Sequence, residues 1–454
     1  MLKIHEPMKD EEKIGAERGA LSRGRLAQED AELLRRARQS ARLSREQMAR
    51  LLDIGVDDLT RLEDGVETVS PSLLNRYAQR FGLRVDRFMA GEAADAPATF
   101  LFRYLNDHPD PRALSEMGAY PVLGDFLRTA RDIADLRGLL GEPREADSLL
   151  DDLSRCGRLT RPLDALSEGE LIEETRWLAR AVRSKLKLET RPIDSMLDLM
   201  VRQLGVELLW VGPDDLDPDI DAACTLVPIP AILVNLVGGA ECWWRTRMTL
   251  AHELCHLLFD RSLLDPEHPG ALFLFSPREE RARGGRHPRI RLPGRLEQVE
   301  RRANIFAANL LAPEEGVREL VGDLDPTSEH AVTLVCQHYQ IGRTTAINRL
   351  QVTFSLSRAD RQLMLDRTTT DRLPEAHPDR VAPARGLRSD HLLDLASRAL
   401  AAGRISRAGA RGVLGIPMSE PLPEHPSLSD EQRAPLRTRE DLARAAALRQ
   451  PERC

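Results

Sequence analysis

Thr249-Leu250-Ala251-His252-Glu253-Leu254-Cys255-His256-Leu257-Leu258-Phe259 decides how the larger part of this 454-residue chain is read. The pattern His-Glu-x-x-His sits inside an apolar run. An α-helix puts residues i and i+4 on one face, so the imidazoles of His252 and His256 converge on a single ion. Glu253, one step round the helix, reaches a water on that ion. Leu250, Leu254, Leu257 and Leu258 supply an apolar surface that buries the helix and holds the ligands rigid. This is the two-histidine half of a hydrolytic zinc site with its general base beside it.

A catalytic site of this kind needs a third protein ligand and one open position for water. Glu300 is the best candidate. It lies in Leu296-Glu297-Gln298-Val299-Glu300-Arg301-Arg302-Ala303-Asn304-Ile305-Phe306, which runs on to Pro313. Val299, Ala303, Phe306, Ala307 and Leu310 recur at helical spacing, and Pro313 marks the end. Glu297, one turn earlier, is the rival ligand. Zinc is the expected ion, while manganese or iron suits the same donors.

The two segments together, Arg245 to His256 and Glu300-x-x-Ala303-Asn304-x-Phe306-Ala307 to Pro313, resemble the ImmA/IrrE metallopeptidases. The resemblance begins near residue 170 and covers under half the chain. It implies that His252, His256 and Glu300 hold zinc, that Glu253 is catalytic, and that the core is α+β and zincin-like. It also implies a protein substrate, a DNA-binding repressor whose cleavage releases stress-response or mobile-element genes. A helical pair after the zinc helices, containing His338 and Tyr339, resembles the family's small helical appendage; either side chain is a candidate oxyanion stabiliser. Two departures stand out. Cys255 replaces a position that is commonly glycine; it points off the two-histidine face and reads as a small buried residue. Residues 257–299, forty-three in all, separate the second histidine from Glu300 and hold seven arginines between 278 and 295. That stretch reads as a cationic loop beside the site. A strand over Ile229–Leu236 would offer its edge to an extended substrate.

Near the other end, residues 31 to 89 carry a compact helical pattern. Arg45 to Leu52 reads as one helix and Val56 to Glu63 as the next, with Asp53-Ile54-Gly55 as the turn and Gly65 as the stop. Two short helices across a tight turn make a helix-turn-helix arrangement, whose second helix enters the DNA major groove. The run Leu43 to Ala49 through Leu59 to Gly65 resembles the XRE/Cro-like repressors. Asp57 and Asp58 open the recognition helix, where phosphate repels carboxylate. Arg42, Arg45 and Arg61 are the candidate DNA contacts that would compensate. Residues 31–90 hold eleven arginines against nine acids, only slightly basic.

The net charge of −7 excludes bulk nucleic-acid binding by the whole chain. Six scattered cysteines form no disulfide framework, no apolar run is long enough to span a bilayer, and the start is not a secretory leader; a reducing cytoplasm is expected. The expected organisation is a tail over 1–29, a helix-turn-helix domain over 30–90, a linker with helical segments over 91–168 and a metallopeptidase domain over 169–365. A linker over 366–387 and a C-terminal helical hairpin with a frayed end over 388–454 complete it. The fold class is mainly α with a small β-sheet. The preferred function is a zinc endopeptidase fused to a helix-turn-helix domain. Two rivals are a DNA-binding regulator whose metal fold acts as sensor or scaffold, and an antitoxin or defence-system module. Oligomeric state is left open.

Overall fold

The dipeptide Ile54-Gly55 and the left-handed Asp53 (φ 55°) turn the chain between two short helices, α1 (Arg45–Leu52) and α2 (Val56–Glu63). This computed structural model describes residues 28, 31–36, 38–39, 44–80, 119–142, 149–157, 163–212, 216, 221–236, 242–260, 294–368, 373–381 and 389–436. The tail over 1–29 (all but residue 28), Arg42 and the arginine-rich stretch up to residue 293 lie outside them. Two compact units divide the chain, Met1–Arg128 and Thr129–Cys454.

In the first unit, α3 (Pro71–Arg80) follows α2, and α1 packs against both. Leu34, Met48, Leu52, Leu59 and Tyr77 are buried, and the Tyr77 hydroxyl donates to the Leu34 carbonyl at 2.7 Å. Gly65 takes φ 70° after α2, a conformation that favours a residue with no Cβ. Glu63 is the charged centre of this domain. Fully buried, it accepts from Arg38 at 2.7 and 2.8 Å and from Arg45 at 3.0 Å. Helix α4 (Ala119–Leu139) comes next in the chain.

The second unit is mostly helical around one small sheet. After α5 (Leu149–Ser154), α6 (Glu168–Lys185) starts at a capping box in which Ser167 and Glu170 satisfy each other's backbone N–H. Strands β1 (Glu207–Val211), β2 (Ala222–Thr225) and β3 (Ala231–Asn235) make a sheet of order β1-β3-β2. β3 pairs parallel with β1, Leu209 opposite Leu233, and antiparallel with β2, Cys224 opposite Ile232. The strand expected to present an edge, β3, is therefore the central one; its hydrogen-bonding groups are used on both sides. The edge nearest the metal helix is β2, a four-residue strand too short for an alternation to reveal.

Helix α7 (Trp243–Phe259) packs on β2 and β3 and against α8 (Gly294–Leu311), which also packs on α6. Leu250, Leu254, Leu257, Ala303, Phe306 and Leu310 are all buried at the centre of one large core. The expected apolar stripes thus face each other. Helices α9 (Glu314–Val321), α10 (Glu329–Tyr339), α11 (Arg343–Thr353) and α12 (Arg358–Arg367) follow, then α13 (Asp390–Ala401) and α14 (Arg407–Leu414), which pair over a satellite core of Leu400, Ala410, Leu422 and Leu428.

The span read as a linker, 366–387, is packed in its described part. Trp243 stacks on His377 at 3.7 Å and 3°, and its indole N–H donates to the Pro374 carbonyl at 2.8 Å. Asp379 is fully buried against Arg247 of α7, and also accepts from Ser195 Oγ at 2.6 Å and from the Met196 and Leu197 amides, each at 3.0 Å. Among the described residues no helix is long and apolar enough to cross a membrane.

Candidate metal centre

Helical spacing on α7 and the close packing of α7 on α8 bring three side chains together. His252, His256 and Glu300 offer ligand atoms that all lie within 4.8 Å of one another. The two Nε2 atoms are 2.9 Å apart; Glu300 Oε2 is 3.1 Å from His252 Nε2, and Oε1 is 3.5 Å from His256 Nε2. Two nitrogens about 2.05 Å from a tetrahedral ion would stand roughly 3.3 Å apart, so the three separations bracket what zinc requires. Two imidazoles and one carboxylate are also the donor set that suits zinc, and equally manganese or iron. Glu297, the rival, is exposed and stands outside this group.

Both rings are oriented from behind. His252 Nδ1–H donates to Asn304 Oδ1 at 3.0 Å, and His256 Nδ1–H donates to Asp260 Oδ2 at 2.7 Å. Each Nε2 is thereby turned toward the other and toward Glu300. Arg302, fully buried on α8, is ion-paired with the same Asp260. Sequence reasoning quoted Asn304 without giving it a role and missed Asp260. The available signal was an acid four residues past His256, directly after the apolar run Leu257-Leu258-Phe259.

Electrostatics at the site run in opposite directions for the two rings. Burial opposes a charge on His252, but the hydrogen bond and field of Glu300, with smaller contributions from Glu253 and Asn304, lift it to about 9. His256 is pushed down to about 3, first by burial and then by the neighbouring His252 and Arg302, against the pull of Glu300. For Glu300, burial favours the neutral acid, yet the two imidazoles outweigh it and hold the carboxyl below its ordinary value. A cation here meets an ionised carboxylate and one ring that needs no deprotonation.

Glu253 is fully buried next to His252, with the Cys224 thiol of β2 beside it. Burial raises that thiol well above its usual range and pushes Cys255 up to about 12, so neither offers a thiolate at neutral pH. Cys255 faces Arg302 and stands outside the three-residue group, the ordinary buried role expected of it. His338 and Tyr339 are placed elsewhere. Tyr339 is buried and its hydroxyl donates to the Thr190 carbonyl at 3.2 Å, while His338 is exposed at the end of α10. Neither belongs to the ligand group.

In the first unit, the two described arginines proposed to touch DNA are engaged with acids. Arg45 binds Glu63 at 3.0 Å and Asp64 at 2.7 Å, which makes it a brace between α1 and the end of α2. Arg61 pairs with Asp58 at 2.7 Å and Glu67 at 3.1 Å on the exposed face.

Comparison with known proteins bears on this first unit. Residues 31–88 match the family described as a helix-turn-helix domain. The N-terminal part of the chain is a helix-turn-helix domain, and it points to a DNA-binding regulator. No curated protein and no solved structure matches the chain.

Proposed function

We propose that the chain is a zinc-dependent endopeptidase whose helix-turn-helix domain links cleavage to gene regulation, its substrate being a DNA-binding repressor. The observation that carries this reading is the convergence of two Nε2 atoms and one carboxylate, each ring held from behind, next to a buried glutamate on the same helix. A purely structural ion needs no adjacent base. Glu253 is the feature that a scaffold leaves unexplained.

His252, His256 and Glu300 would hold the ion, with manganese or iron as alternatives to zinc. When bound, the ion supplies Lewis acidity that makes water a better nucleophile and polarises a carbonyl. Glu253 takes a proton from the attacking water as its oxygen bonds to the scissile carbonyl carbon. The same carboxylic acid then gives that proton to the amine nitrogen as the C–N bond breaks. Burial of Glu253 keeps competing water from its oxygens, and the Cys224 thiol stands beside it on the strand side. An extended substrate would add along β2, whose outer side has no strand partner among the described residues.

The helix-turn-helix match favours a second reading, a DNA-binding regulator in which the metal centre senses an ion and cleaves nothing. One experiment separates the two. Proteomes are compared in cells expressing the wild-type chain or Glu253→Gln from an inducible promoter. A peptidase yields new fragments of a repressor with the wild type alone; equal cellular responses from both chains would favour the sensor.

A further inference from the structure

Asp260 closes α7 and binds the more deeply buried of the two histidines. Its Oδ2 accepts the His256 Nδ1–H at 2.7 Å, its Oδ1 is ion-paired with Arg302, and all three side chains are fully buried. Arg302 stands two residues after Glu300 on α8. One buried ion pair therefore joins the end of the two-histidine helix to the helix that carries the third ligand. His252 is treated differently, since its Nδ1–H meets only the neutral amide oxygen of Asn304.

We propose that Asp260, held by Arg302, is the positioning residue of the metal centre. It fixes His256 as the Nδ1–H tautomer with Nε2 turned to the ion, and it sets the α7–α8 spacing that brings Glu300 to both imidazoles. The inference rests on the metal-site reading above. A carboxylate behind an imidazole makes the other ring nitrogen a stronger donor, and partners of this kind govern metal affinity. The neutral Asn304 does less of this for His252, so His256 is the anchoring ligand. Arg302 compensates the buried carboxylate and keeps it from rotating away.

The same helix carries its own control. Arg247–Asp379 is a second ion pair with both side chains fully buried and its arginine on α7, yet neither partner contacts a ligand residue. Removing one member of a buried pair would strand the other charge, so each pair is replaced whole. The variants are Asp260→Leu with Arg302→Met, Arg247→Met with Asp379→Leu, and the conservative Asp260→Asn, all in the full-length chain. Zinc affinity is measured by competition with a chelator, and the visible absorption of the cobalt(II)-loaded protein reports coordination geometry.

The expected result is zinc binding about 10–100-fold weaker for the Asp260/Arg302 replacement, with an altered cobalt spectrum. Asp260→Asn, which keeps an acceptor oxygen, loses less, and the Arg247/Asp379 replacement keeps wild-type affinity. A folded Asp260/Arg302 variant with unchanged affinity and spectrum would overturn the proposal. So would an equal loss in the Arg247/Asp379 control, because the effect would then be one of stability. If the first variant does not fold, Asp260→Asn with wild-type affinity and spectrum overturns it alone. Wild-type protein that takes up neither zinc nor cobalt would instead sink the metal-site reading itself.

Discussion

His252 Nε2 and Glu300 Oε2 stand 3.1 Å apart on two different helices, and this contact lifts His252 to about 9 despite its burial. At neutral pH the ring carries a proton that a bound cation must displace. Apparent zinc affinity should therefore rise about tenfold per pH unit from pH 6 upward and level off near the His252 value. His256, held at about 3, adds no proton in that range. Calorimetry in two buffers of different ionisation enthalpy should show about one proton released per zinc at pH 7. An affinity that is flat between pH 6 and 8 would rule out this charge arrangement.

Glu253→Gln removes the base and leaves the three ligands in place. Zinc stoichiometry should stay at the wild-type value, while cleavage of a repressor substrate falls by about 10²–10⁴-fold, the usual contribution of a positioned base. His252→Ala should behave differently, losing the metal itself. Elemental analysis of the two purified variants, set beside a gel-based cleavage assay, distinguishes a missing base from a missing ion.

The parts of this molecule that could be read from its sequence are those fixed by local spacing. The i, i+4 histidines, the Glu300 motif and the tight turn before Val56 each depend on neighbours within one or two helical turns. Helices Arg45–Leu52 and Val56–Glu63 follow the expected limits. What escaped depends on contacts between distant segments. Strand order placed β3 in the middle of the sheet, and β2, Ala222–Thr225, is too short to announce itself. The stretch around Pro374 to Val381 has a linker's composition, yet Asp379 is buried by Arg247 and three hydrogen-bond donors from around residue 195. Asp260 and Asn304 acquire meaning only once the ring nitrogens that face away from the ion are known to need partners.

The helix-turn-helix domain should separate a structural arginine from a surface one. Arg45 braces the buried Glu63, so Glu63→Gln, which takes the shared carboxylate away from Arg38 and leaves Arg45 with Asp64, should destabilise this domain by about 3–5 kcal/mol in urea titrations. Arg61 is paired on the exposed face with Asp58 and Glu67, and such pairs are weak, on the order of 0–1 kcal/mol. Asp57→Asn with Asp58→Asn removes two charges that repel phosphate and frees Arg61 from one partner. DNA affinity should tighten by about tenfold at low salt, with a steeper dependence on salt concentration. Gel-shift titrations at several salt concentrations check this, and unchanged retardation would mean that α2 does not face the phosphates.

Arg247 and Asp379 tie the segment after α12 to the helix that carries both histidines, five residues before the first of them. Burial alone would raise the Asp379 carboxyl, but Arg247, the Ser195 hydroxyl and the Met196 and Leu197 amides outweigh it and hold it below its ordinary value. A carboxyl depressed in the folded state contributes stability that is fully present above its unfolded value, near 3.8, and is lost as pH falls through the folded one. Asp379→Asn keeps the shape but leaves Arg247 buried without a counter-charge, so it should cost about 3–5 kcal/mol at pH 7. The loss should shrink as the pH is lowered below 3.8, because protonation brings the wild type toward the variant. Urea midpoints at pH 7, 5 and 3, followed by tryptophan fluorescence because Trp243 stacks on His377, measure that convergence. A stability gap of constant size across the three pH values would show that Asp379 acts by packing and not by charge.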